Sequence, residues 1–175
     1  VIVDSYGPYV IALTDGMILE ENMREMGDGF VSLLEKENYA VRGCIFEDLD
    51  NTSQARDAYS RMTNCFAELC TVYPQRKIYS DSDVRYVQSC IACVRQGEDT
   101  VANCLLPIRK LKETTDGDIL IETLCTYLLD AESNSQRTGT LLYLHKNTVN
   151  YRLNKIRSIL KCDLIQMPAT LAVYQ

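Results

Sequence analysis

Four apolar residues near the end of the chain constrain its fold more than any others. Val149, Leu153, Ile156 and Leu160 stand at i, i+4, i+7 and i+11, the buried stripe of an amphipathic helix. Asn147, Thr148, Asn150, Tyr151, Asn154 and Lys155 are left partly or wholly outward on the same helix. Ahead of it, Ser135 can cap a short helix over 136–143, with Leu141, Leu142 and Leu144 as its apolar contacts. A turn at 144–146 follows, and the side-chain oxygen of Asn147 can cap the second helix. Gly139 lies where two helices joined this tightly must cross closely. Short helix, tight turn, and a second helix opening on amides and bases form the signature of a helix-turn-helix.

Charge points the same way. The chain carries a net charge of −6, yet between Ser133 and Cys162 there are six Lys and Arg and no Asp or Glu. The remainder holds twelve basic residues against all 24 acidic ones. A basic island on an acidic body suits contact with phosphate. Asparagine amides can bond adenine edges bidentately, and Lys and Arg reach guanine or phosphate. Asn147, Thr148, Asn150, Tyr151 and Asn154 are therefore candidates for base edges or the flanking backbone. Lys146, Arg152, Lys155, Arg157 and Lys161 are candidates for phosphate, joined by Gln136 and Arg137 from the preceding helix. Arg152 can equally make an internal ion pair that orients the helix.

Upstream, the periodicity changes. "VIVDSY" and "YVIALT" read as two strands around Gly7-Pro8. Met23, Met26, Phe30, Leu33 and Leu34 mark an amphipathic helix ending near Asn38, and "YAVRGCIF" returns to strand composition. Asp50, Asn51 and Thr52 offer cap oxygens for a helix whose apolar stripe runs from Ala58 to Val72 and which Pro74 closes, before a short strand in "RKIYS". The order over 1–80 is β-β-α-β-α-β, a half-sheet with helices on it. Beyond Asp83 the strand signals stop. Val84, Val87, Ile91 and Val94 make a helix ending at Gly97, and Val101 and Leu105 another that Pro107 stops. "KETTDGD" is a polar hinge. Leu120, Ile121, Leu124 and Leu128 then mark a helix with Asp116 or Asp118 as cap.

Other features point away from a membrane, a disulfide scaffold or a catalytic centre. No apolar run approaches the roughly 18–20 residues that span a bilayer. The opening segment lacks a basic region and is broken by Asp4, Gly7 and Pro8, unlike a signal peptide. Eight scattered cysteines in periodic segments read as reduced, buried thiols. Cys90 and Cys93 in "CIAC" have metal or redox spacing but equally lie on one helical face. His145, the single histidine, has no nucleophile or acid near it in sequence and reads as a turn residue that packs or caps.

"LLYLHKNTVNYRLNKI" resembles the C-terminal helix-turn-helix of PucR/CdaR-type bacterial transcription regulators. Their Leu-x-x-His-x-Asn-Thr-x-x-Tyr-Arg-Leu-x-x-Ile run is met by Leu142, His145, Asn147, Thr148, Tyr151, Arg152, Leu153 and Ile156. The upstream "LIETLCTYLLDAESN" is similar to that family's preceding helix through Leu120, Glu122, Thr123, Leu124, Tyr127 and Leu128. Tyr143 stands at a turn position where many helix-turn-helix units place glycine, though the family it resembles often has a bulky residue there. Residues 1–80 resemble the degenerate GGDEF-like domain that often precedes this unit. "DSYGPYVIAL" falls at the hairpin where active cyclases carry Gly-Gly-Asp/Glu-Glu-Phe, but here Gly7 is followed by Pro8 and Tyr9. Metal-dependent nucleotidyl transfer needs carboxylates at that turn to hold Mg²⁺. The first elements of a complete domain of this kind are missing, and in the family a variable sensing region lies upstream.

The expected fold is thus an α+β N-terminal half, degenerate GGDEF-like, followed by an all-α helix-turn-helix domain. The expected division is 1–82, a helical connector over 83–115, and 116–175. The expected function is a cytoplasmic, non-enzymatic transcription regulator without cofactor or metal. It would bind double-stranded DNA through the helix 147–160 in the major groove, as a homodimer on a two-fold site. A catalytically inactive nucleotide-sensing module or a protein–protein assembly module stands as the alternative.

Overall fold

The computed structural model describes residues 2–14, 20–161 and 164. The chain divides into two compact units. The first comprises 1–66 with 77–84, the second 67–76 with 85–175.

In the first unit, β1 (Ile2–Tyr6) and β2 (Tyr9–Leu13) pair antiparallel, Tyr6 opposite Tyr9. The two-residue turn needs a positive φ, which Gly7 supplies at 59°, while Pro8 presets the negative φ that follows. The Tyr9 ring meets Tyr59 and Phe66 edge-on at 5.7 and 6.4 Å, so the hairpin is held by aromatic contacts. Next come α1 (Glu20–Lys36) and β3 (Gly43–Ile45), the latter parallel to β4 (Ile78–Ser80). The described strands form two separate ladders and not the single half-sheet expected.

Helix α1 lies across β3 and β4 at Gly27, where a Cβ would come 3.0 Å from the Ile45 side chain. That close approach turns Val31 into the core and leaves Met26, Phe30 and Leu33 more than half exposed. The helix expected over 52–72 is two helices, α2 (Thr52–Thr63) and α3 (Phe66–Val72). Asn51 caps α2 by accepting from the Gln54 N–H at 3.0 Å, as the sequence suggested. Ser80 and Asp83 cap α4 (Asp81–Arg95) reciprocally, Asp83 Oδ2 accepting the Ser80 N–H at 2.8 Å.

The second unit is helical. Helix α5 (Glu98–Lys112) runs through Pro107 without stopping there. An interior proline costs roughly 3 kcal/mol, but Ile108 and Leu111 beyond it are packed into the core, which holds the helix in register. Gly117 opens α6 (Gly117–Cys125), which continues as one wide turn over Thr126–Asp130, the Ala131 N–H reaching back to the Thr126 carbonyl at 2.8 Å. Glu132 and Ser133 then adopt positive φ and reverse the chain. Next are α7 (Ser135–Leu141) and α8 (Lys146–Leu160). The core is Leu111, Leu120, Leu124, Tyr127, Leu128, Val149, Leu153, Ile156 and Leu164. Of the stripe read from α8, Val149, Leu153 and Ile156 are buried and Leu160 is partly buried against them. Of the seven cysteines described, only Cys65 is fully buried, against the expectation of buried thiols.

Candidate nucleic-acid interface

Two capping motifs, back to back, build the joint between α7 and α8. Asn134, not Ser135, caps α7: its Oδ1 accepts from the backbone N–H groups of Gln136 and Arg137 at 2.9 and 3.0 Å. At the other end of α7 the Leu144 N–H donates to the Gly139 carbonyl at 2.8 Å, and the Tyr143 N–H to Thr140 at 3.4 Å. This is a Schellman stop, with Tyr143 as its left-handed residue at φ 56°. Leu144 packs against the core, and His145, not Asn147, caps α8, its Nδ1 accepting the Asn147 N–H at 3.2 Å. Gly139 is where the turn comes closest: a Cβ there would sit 2.6 Å from the Leu144 carbonyl oxygen.

On α8, Asn147, Asn150, Asn154 and Arg157 follow one another three and four residues apart, on the side away from Val149, Leu153 and Ile156, and Lys161 follows the helix as its left-handed C-cap. Asn147, Thr148, Asn154 and Lys161 are exposed, as are Gln136, Arg137 and Lys146, while Asn150 and Arg157 are half-buried. Tyr151 is 67% exposed. Arg157 donates to Asn154 Oδ1 at 2.9 Å, which turns the Asn154 amide nitrogen away from it. Arg137 lies 3.6 Å from Glu132.

Two cations of α8 are engaged inside the unit. Arg152 donates to the hydroxyl of buried Thr123 at 3.0 Å, and that hydroxyl donates in turn to the Ile119 carbonyl. Lys155 reaches both oxygens of Asp116, at 2.6 and 2.9 Å. Asp116 stands at the N-cap position of α6 but makes no cap bond with its side chain; its carboxylate serves Lys155. Spacing could not show this pair, since its members lie 39 residues apart.

The Lys155 hydrogen bond holds the Asp116 carboxyl below the ordinary carboxylate range, and Asp116 holds the Lys155 ammonium above the ordinary lysine range. The Asp116 contribution is present above the unfolded carboxyl pKa and lost as pH falls through the folded one. The Lys155 contribution is present below its unfolded pKa and lost as pH rises through the folded one. The stability gap between the parent chain and Asp116→Asn should therefore stay constant through neutral pH and close only in strong acid or alkali. Urea unfolding at a series of pH values checks this, and a gap that changed near pH 7 would mean another group is involved.

The fold and this joint define the class: a helix-turn-helix, α7–turn–α8, backed by α6. More particularly, residues 120–174 match the PucR C-terminal helix-turn-helix domain. No curated protein and no solved structure matches the chain. Among the described residues no helix is long and apolar enough to cross a membrane, and no cluster of His, Cys, Asp or Glu could hold a metal ion. Cys90 and Cys93 lie on α4, both half-buried, with the Cys90 thiol pushed up chiefly by burial.

Proposed function

We propose that this chain is a cytoplasmic, DNA-binding transcription regulator that reads duplex DNA through α8. One observation carries the proposal: a helix-turn-helix whose second helix presents amides and cations opposite its buried stripe, in a stretch free of carboxylates. Asn147, Thr148, Asn150, Tyr151 and Asn154 address base edges and adjoining sugars, and Gln136, Arg137, Lys146, Arg157 and Lys161 address phosphates. Arg152 and Lys155, given their partners on α6 and at its start, hold the helix at its docking angle. A single unit of this kind covers little DNA, so the regulator acts as a homodimer on a two-fold site. The N-terminal unit is a degenerate GGDEF-like module without nucleotidyl-transfer activity, which supplies a dimer surface or relays a signal from a sensing region upstream.

Duplex binding by the full chain is expected to weaken about a hundredfold or more from about 50 to about 200 mM salt. Duplexes selected from a random pool should bind more tightly than unrelated ones of equal length. Salt-independent binding, or none, would overturn the reading. The assembly alternative is favoured by Met26, Phe30 and Leu33, exposed on one face of α1. It predicts a chain that self-associates tightly and ignores DNA at low salt.

A further inference from the structure

Two positions in the joint carry residues that its backbone does not favour. A Schellman stop strongly prefers glycine at its left-handed residue, because a side chain there crowds the following carbonyl. This one holds Tyr143, at φ 56°. An N-cap prefers Ser, Thr, Asp or Asn; this one is His145. Among the described residues the other non-glycine residues at positive φ are Asn38, Asp48, Glu132, Ser133 and Lys161, and none of these is aromatic. Tyr143 is 96% exposed, so it offers almost no burial to offset the strain. His145 is also exposed. Leu144 between them packs against the core, which leaves both rings on the solvent side of the joint, directly ahead of α8.

Their chemistry is alike. Because His145 Nδ1 accepts the Asn147 N–H, the neutral ring carries its proton on Nε2 and can donate it outward. Tyr143 offers a phenolic O–H. Each is a single, uncharged donor, suited to a phosphate oxygen and unable to make the bidentate pattern that identifies a base. The segment itself favours an anion, since no Asp or Glu occurs from Ser133 to Cys162.

We infer that Tyr143 and His145 are further DNA-contact residues, donating hydrogen bonds to phosphate oxygens beside the groove that α8 enters. The inference rests on the proposed function. Its test uses substitutions that restore what the motifs prefer. Tyr143→Gly relieves the positive φ, and His145→Ser retains a cap oxygen while removing the ring N–H. In the full chain both are expected to unfold at an unchanged or higher urea concentration. Each should bind a pool-selected duplex and an unrelated duplex about tenfold more weakly, with the salt slope unchanged because no charge is removed. Tyr143→Phe should lose as much as Tyr143→Gly.

Parent binding with both variants unimpaired would overturn this assignment and leave the proposed function standing. A loss confined to the selected duplex would overturn the phosphate assignment in favour of base contact. A parent chain that binds no duplex would overturn both readings.

Discussion

Leu153→Ala is expected to destabilise the helical unit by about 2–5 kcal/mol, the cost of removing a buried leucine and leaving its space partly unfilled. Leu153 is 1% exposed and lies between Val149 and Ile156, each 0% exposed, in the core shared with Leu120 and Leu124. Helix α7 is only seven residues long and α6 nine, too short to persist alone, so their order depends on this core. Small domains are stable by about 5–15 kcal/mol, so the loss is a large fraction of the total. Urea unfolding followed by circular dichroism measures it. Leu105→Ala is the control: at 48% exposure it should change stability by no more than about 0.5 kcal/mol. If the two leucines proved equally tolerant, the α8 stripe would not be the core.

Gly139→Val is expected to cost about 1–3 kcal/mol and to reduce duplex binding further than that loss alone implies. The added Cβ would meet the Leu144 carbonyl oxygen at 2.6 Å, and the atoms that must yield are backbone. The Gly139 carbonyl also accepts the bond from Leu144 that ends α7. Widening the joint therefore breaks the Schellman stop and shifts Leu144, His145 and the start of α8 together. Unfolding and duplex titration on the same variant separate the effects. Parent-like stability together with parent-like binding would show that the helices do not need this close approach.

Features set within a few residues were legible before the fold was known. The apolar stripe of α8, the hairpin at Gly7-Pro8 and a cap for α2 within Asp50, Asn51 and Thr52 each follow from a spacing or a turn preference that neighbours do not override. The other caps moved by one or two residues, from Ser135 to Asn134 and from Asn147 to His145, because a cap is defined by where φ and ψ leave the helix. Pro107 misled for a different reason. Its local cost is real, but the burial of Ile108 and Leu111 outweighs it.

Which residues of α8 are core and which are polar was therefore determined by the sequence, because helical periodicity is a local property. Which of its cations remain available to a ligand was decided only by the tertiary structure. Arg152 and Lys155 look like Arg157 and Lys161 in sequence, yet Thr123 and Asp116 engage the first two. Those partners are 29 and 39 residues away and meet α8 only once α6 has packed against its apolar stripe.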